Sequence, residues 1–326
     1  MKLIKTLCFT VSVSMLIACN QQVEDSVKTV YKNQPHNPRS KNTFLVTEKY
    51  GALTVKEGVF SGESKIRPWS AWWYPINETT LFRNSDSQST LEKLDYYSKM
   101  LFEQYTQAAR FEEQKLYRPN EVGWAGLCHA WAIASVLHPE PTVEKLLGGV
   151  RLSTGDQKAL LLKSYEKATG IANIMYGERY TGSRGDDYDD IYPDQFHRLV
   201  QHHVIENKKP FLMDYDPRHP VWTVPAYKVK FIIEKNDETS ALVSAWITFA
   251  SPHVDVQFVG TKRIVKGYKY LLKGNWSNGV LTVKSGEWIE ESKNDHPDYL
   301  ISFPDSIERG SRNPEIKTEI VDSIVK

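Results

Sequence analysis

Apolar residues recur at helical spacing in the first half of the chain and alternate with polar ones in the second. Ser89-Thr90-Leu91-Glu92 has the form of a capping box, in which a serine and a glutamate satisfy each other's backbone N–H groups. Leu91, Leu94, Leu101, Phe102, Tyr105, Ala108 and Ala109 then keep a helical period to about Leu116, and Pro119 ends it. Leu127, Trp131, Ala134 and Leu137 mark one face of a second helix that starts after Gly126. Pro139 and Pro141 break the chain, a short helix is expected over Val143 to Leu147, and a stronger one begins at Asp156 as its cap. From Pro193, residues Phe196, Leu199, Val200 and Val204 favour a helix, although His202-His203-Val204-Ile205 also suits a strand. Beyond Pro210 strands are expected at Phe211 to Tyr215, Tyr227 to Glu234, Ala241 to Phe249, Val254 to Val259, Tyr268 to Lys273 and Val280 to Val283. Asn236-Asp237, Gly274-Asn275 and Asn278-Gly279 supply turns. Helices first and an antiparallel sheet second define an α+β plan.

The two ends differ from this middle. Lys2 and Lys5 precede an apolar run from Leu7 to Ala18, too short and too early for a membrane span, so residues 1–18 read as an export signal. Leu16-Ile17-Ala18-Cys19 resembles the cleavage box of bacterial lipoproteins, which implies that Cys19 becomes the lipidated first residue. Asn20 leans the destination towards the outer membrane. Residues 19–42 are polar, with Pro35 and Pro38, and suit a tether. Phe44 to Phe60 shows short β-like runs broken by Gly51 and Gly58. Residues 43–305 are then one domain, helical over about 89–209 and β over about 210–303, and residues 306–326 form a charged tail without a packing pattern. A formal charge of +1 argues against nucleic acid as a partner, and nine tryptophans with 40% hydrophobic residues suit a packed domain.

Of three cysteines, Cys8 lies in the signal and Cys19 at the cleavage box, which leaves Cys128 as the one thiol of the exported domain. A disulfide within that domain is therefore not expected. Cys128 opens an apolar helix just after Gly126, where the positive end of the helix favours thiolate over thiol and its N–H groups are placed to hold an oxyanion. A buried free cysteine is more often simply a small apolar residue. The cluster Trp69-Ser70-Ala71-Trp72-Trp73-Tyr74-Pro75 is either core or the wall of a groove.

Separated segments together resemble the transglutaminase elicitor family. Gly126-Leu127-Cys128-His129-Ala130-Trp131-Ala132 is similar to its nucleophile motif, and Asp156-Gln157-Lys158-Ala159-Leu160-Leu161 to the helix that follows. Tyr192-Pro193-Asp194-Gln195-Phe196-His197 stands where the family has Asn-Pro-Gly-x-Phe-His. Asp214, then Val221-Trp222-Thr223-Val224-Pro225, stand where it has an aspartate followed by Val-Trp-Asn-Gln-Pro. Gly286-Glu287-Trp288 and His296-Pro297-Asp298-Tyr299-Leu300 resemble its C-terminal pair. Thr223, Val224, Asp194 and Tyr180 depart from the pattern. The resemblance implies a papain-like core and acyl transfer from protein glutamine to a lysine amine or a polyamine, with calcium dependence as a family trait. An acidic run, Asp186-Asp187-Tyr188-Asp189-Asp190, lacks the spacing of a calcium-binding helix-loop-helix and reads as a solvated loop.

Attack on an amide needs a base that turns into an acid, and nine histidines compete for that role. His197 is the first choice, because it matches the family's Phe-His and precedes Asp214, which would orient it. His296 is the rival from the later β half, His253 a third candidate, and His129 is expected to point away from the thiol. Asp216 shares a strand face with Asp214 in this reading. Trp124, Trp131 and Trp222 are expected to bound the substrate site. Alternative readings are a papain-like protease or amidase of the cell envelope, and an inactive lipoprotein that binds through its aromatic groove.

Overall fold

The alternating segments beyond Pro210 fold into the large sheet around which the chain is built. A computed structural model of the chain describes residues 41–85, 87–169, 174–178, 190–214, 223–303 and 307–326. The strands are β1 (Thr54–Lys56), β2 (Gly58–Glu63), β5 (Met175–Gly177), β6 (Phe211–Asp214), β7 (Thr223–Asp237), β8 (Ser240–Ala250), β9 (Arg263–Ser277), β10 (Val280–Trp288) and β11 (Tyr299–Ile301). They pair antiparallel in the order β1-β10-β9-β8-β7-β6-β11-β5, with β2 against the far half of β7. A separate hairpin joins β3 (Lys145–Leu147) to β4 (Val150–Leu152). The helices are α1 (Lys41–Tyr50), α2 (Thr90–Phe102), α3 (Ala108–Phe111), α4 (Cys128–Leu137), α5 (Thr154–Ser164), α6 (Pro193–Val200) and α7 (Thr318–Val325). One face of the long strands buries Phe231, Ala245, Ile247, Tyr268 and Tyr270, while Lys228, Lys230, Trp246, Val265 and Lys269 alternate on the other face. Among the described residues no helix is long and apolar enough to cross a membrane.

Local chemistry explains where this fold departs from the periodicity. Residues 44–50 belong to a helix, not to β-like runs, and the strands begin only after Gly51, whose φ of 79° ends the helix. The helix from Thr90 stops at Phe102, where Glu103 takes a left-handed conformation. Asp95 then turns back to accept from the N–H groups of Ala108 and Ala109, so the expected single helix becomes two. Residues 145–152 form a hairpin instead of a helix, because Gly148 and Gly149 both adopt positive φ and supply the turn that two short strands need. Ser153, not Asp156, is the N-cap of α5; Asp156 is the third residue of its capping box. The helical option holds for His202 to Ile205, which continue α6 as one wider turn. Residues 254–259 make turns at Pro252 and Asp255 and form no strand. The charged end of the chain also packs: Ile320, Val321 and Ile324 of α7 are buried, and Arg309 pairs with Asp322.

Candidate active site

Cys128 is the first residue of α4 and is 3% exposed. Its position is fixed by backbone docking: Leu127 N–H donates to the Trp73 carbonyl at 2.6 Å, and Ile76 N–H donates to the Ala125 carbonyl at 2.9 Å. A Cβ on Gly126 would come within 2.7 Å of that Trp73 carbonyl, so only glycine permits this approach. The cap residue is Leu127, whose side chain accepts no hydrogen bond, so the positive end of the helix is not neutralised by a capping side chain.

The helix start faces the N-terminal end of β7. His129 Nδ1 lies 3.4 Å from the Thr223 hydroxyl, which lies 2.7 Å from the Tyr299 hydroxyl. Thr223 is the register partner of Asp214, and continuing the pairing of Leu300 with Met213 by one residue sets Tyr299 on the other side of Asp214. Opposed residues of antiparallel strands share a sheet face. Thr223, Asp214 and Tyr299 therefore form one transverse polar row, and all three are fully buried. This sets Asp214 beside Thr223, the residue that His129 of α4 contacts. The neighbouring strand end contributes a histidine. Ala226 pairs with Phe249, so β8 ends beside the start of β7 and releases the chain towards His253. The His253 ring stands edge-on to Trp73 at 5.0 Å, next to the carbonyl that docks Leu127. Burial and the nearby Lys262 hold its pKa below the usual histidine value, so the ring is neutral near pH 7.

His197 is elsewhere, which corrects the expectation that it partners Cys128. It stacks on Phe231 at 4.2 Å and bonds the Tyr270 hydroxyl at 2.7 Å. Phe231 is eight residues along β7 from Thr223, roughly 25 Å of extended strand. Burial, with the Arg198 charge adding to it, lowers the His197 pKa to about 3, so the ring carries no imidazolium to stabilise a thiolate. His296 is buried too: Nδ1 donates to the Ser292 carbonyl at 2.9 Å, Nε2 meets Asp190 at 3.1 Å, and the ring stacks on Trp288. Both of its nitrogens are engaged by these partners. Trp131 is a core residue with no exposed surface, its indole N–H donating to the Trp69 carbonyl, and so does not line a substrate path. Trp124 is half-buried in the segment that leads to Cys128. Trp222, Asp216 and Cys19 lie outside the described residues.

Periodicity missed the roles of Trp73, Thr223 and Tyr299. The signal for Trp73 was the aromatic cluster, whose Trp69 and Tyr74 go to the core while Trp72 and Trp73 stay half-buried and in contact at 4.0 Å. Lys158 shows what the Asp156-Gln157-Lys158 segment does. Its buried ammonium donates to the Ser70 and Phe258 carbonyls at 2.9 and 2.7 Å and pairs with Glu140 at 2.6 Å. It thereby ties together the segments that carry Trp73 and His253. Among the described residues no three His, Cys, Asp or Glu side chains gather as a metal site, and Asp190 of the acidic run is bound to His296. Asp186 to Asp189 lie outside the described residues.

A thiol at the start of a helix, set over strand ends that carry a buried carboxylate and polar hydroxyls, defines a candidate thiol acyl-transfer site on a mixed helix and antiparallel-sheet fold. Residues 95–253 match the model of the Transglutaminase elicitor family. The crystal structure of the GP42 transglutaminase from Phytophthora sojae has a similar fold, with a TM-score of 0.66 at 15% sequence identity, over 90% of this chain and 98% of that one. No curated protein matches the sequence.

Proposed function

We propose that the protein is a protein-glutamine γ-glutamyltransferase with Cys128 as its nucleophile. The observation that carries this is the uncapped start of α4, where a nearly covered thiol lies between Leu127, docked on the Trp73 carbonyl, and His129, which reaches the Thr223 hydroxyl. The Cys128 thiolate attacks the γ-carboxamide carbon of a glutamine side chain, and the α4 N–H groups stabilise the oxyanion. The C–N bond breaks, ammonia leaves with a proton delivered by imidazolium, and a thioester remains. A lysine or polyamine nitrogen then attacks the thioester, gives its proton to the imidazole and restores the thiol. His253 is the imidazole in this scheme, and Asp214 contributes negative charge that counters the imidazolium. A thiol from a helix with imidazole and carboxylate from later strand ends is the papain-like order of parts. The 3% exposure of Cys128 limits water at the thioester and favours the amine as acceptor.

Cys19, lipidated after cleavage, would hold the domain at the outer membrane of a bacterial envelope, with proteins that expose glutamine and lysine as partners. The experiment is incorporation of a labelled primary amine into a glutamine-rich protein by wild type and Cys128→Ser, with and without calcium. Label with ammonia release, abolished in Cys128→Ser, is expected. Ammonia without label means a deamidase, and peptide cleavage means a protease. A thiol inert to alkylation with no turnover means a binding protein.

A further inference from the structure

A groove on the outer face of the sheet, away from the cysteine, has the chemistry of a saccharide site. Trp246 of β8 is 38% exposed on that face, with Lys230 as its register partner on β7 and Gly267 on β9. Gly267 lies beside the indole, where a Cβ would stand 3.7 Å from its Nε1, an ordinary contact. The opposite wall is the turn at Glu290–Lys293, which is pinned to β9 because Lys269 N–H donates to the Ser292 hydroxyl at 2.9 Å and Ile289 N–H to the Lys269 carbonyl at 3.1 Å. Glu290 in this turn holds a φ of 52°, a left-handed conformation unusual for a side-chain-bearing residue. The groove between them has an empty volume of about 750 Å³ and is lined by Ser244, Trp246, Gly267, Lys269, Glu291 and Asp295 among others.

Charge decides the ligand class. Glu290 pairs with Lys269 at 2.8 Å, Asp295 pairs with Lys266, and Lys230 Nζ stands 5.6 Å from the Trp246 ring. The lining carries Glu290, Glu291 and Asp295 with Lys269, and Lys266 and Lys230 border it and compensate the remaining carboxylates, so neither a polyamine nor a phosphate finds an uncompensated field. A flat indole bordered by ion pairs that keep spare donor and acceptor positions matches a neutral, hydroxyl-rich ring. The apolar face of a pyranose covers the indole, and its hydroxyls meet carboxylate oxygens and lysine N–H groups. We propose that this groove binds a short neutral oligosaccharide, with Trp246 as the stacking platform, independently of the chemistry at Cys128.

The test is isothermal titration and ¹H–¹⁵N NMR of the folded domain with N,N′-diacetylchitobiose, cellobiose and spermidine as probes. A saccharide should shift the Trp246 indole resonance, and Trp246→Ala should weaken its binding by about tenfold. Gly267→Leu should block it while keeping the fold, because the added carbon meets only an ordinary contact with the indole. Cys128→Ser should bind as wild type, which separates this site from acyl transfer. Absence of binding to both sugars, equal binding in Trp246→Ala and Gly267→Leu, or a Trp246 shift with spermidine alone would overturn the proposal.

Discussion

The hydroxyls of Thr223 and Tyr299 meet at 2.7 Å across the strand that ends in Asp214. All three residues are buried, so the pair holds a polar row where water does not reach. Thr223→Val should leave the Tyr299 hydroxyl without this partner and cost roughly 1–3 kcal/mol. Because both variants break the same bond, Thr223→Val with Tyr299→Phe should cost less than the sum of the single changes. Urea denaturation of the four proteins measures the coupling, and strict additivity would mean that the hydroxyls do not support each other.

The histidine that serves Cys128 is separable by alkylation. Iodoacetamide reacts with thiolate, so the rate against pH reports the groups that stabilise it. His253→Ala should lower the rate near pH 6 by on the order of tenfold, since the neutral imidazole that takes the thiol proton in this scheme is lost. His197→Gln should leave the profile as in wild type. A profile that moves with His197 and not with His253 restores the earlier assignment.

His197 has a different consequence, for stability in acid. His197 and His203 both titrate near 3, far below the ordinary 6.5, mainly because burial disfavours their charged forms. Between those values the unfolded chain binds protons that the folded chain does not, so stability falls as pH drops from about 6.5 towards 3. Each ring accounts for on the order of 5 kcal/mol across that window. His197→Gln keeps a donor and acceptor for Tyr270 and should flatten the acid limb of the melting temperature. A limb as steep as wild type would assign acid sensitivity to other groups.

Much of the plan was legible because burial here follows periodicity. The strands from Tyr227, Ala241, Tyr268 and Val280 alternate in sequence and in the sheet, and the Asn278-Gly279 turn joins β9 to β10. What periodicity hid was set by single side chains: Asp95 splitting a helix, or Gly148-Gly149 turning a hairpin. The cysteine was visible from its glycine and its helix. Its surroundings were not, since Trp73 and Thr223 meet its neighbours Leu127 and His129 through backbone docking and strand register between distant segments. The pairing of His197 with Asp214 failed because order along the chain does not show that Phe231, far along β7, holds the ring.

Asp194 stands where the family pattern has glycine, in the first turn of α6. Burial raises its carboxyl to about 7, with backbone hydrogen bonds from Asp194 and Gln195 only partly opposing the shift. From about pH 4 to pH 7 the folded chain holds a proton that the unfolded chain has released, so stability falls as pH rises through this window. Asp194→Asn should therefore stabilise the protein by on the order of 2 kcal/mol at pH 8, with little gain at pH 4. Melting temperatures of the two proteins at both values decide it, and a gain equal at both would point to packing instead of charge.

Lys158 gives the strongest link between stability and the site. Its ammonium is fully buried and joins Glu140 to the Ser70 and Phe258 carbonyls. Burial pulls its pKa down while Glu140 pushes it back up, so the pair depends on both partners being present. Lys158→Met keeps most of the stem that packs near Trp69 but removes the charge and strands Glu140, at a cost of roughly 3–5 kcal/mol. Adding Glu140→Gln should recover part of that loss, because the stranded charge disappears while Gly260 N–H keeps an acceptor. The segments bearing Trp73 and His253 remain untied in the double variant, so its Cys128 alkylation should stay slow near pH 6 even where its melting temperature recovers. Recovery of both together would show that Lys158 acts on stability alone and does not position the site.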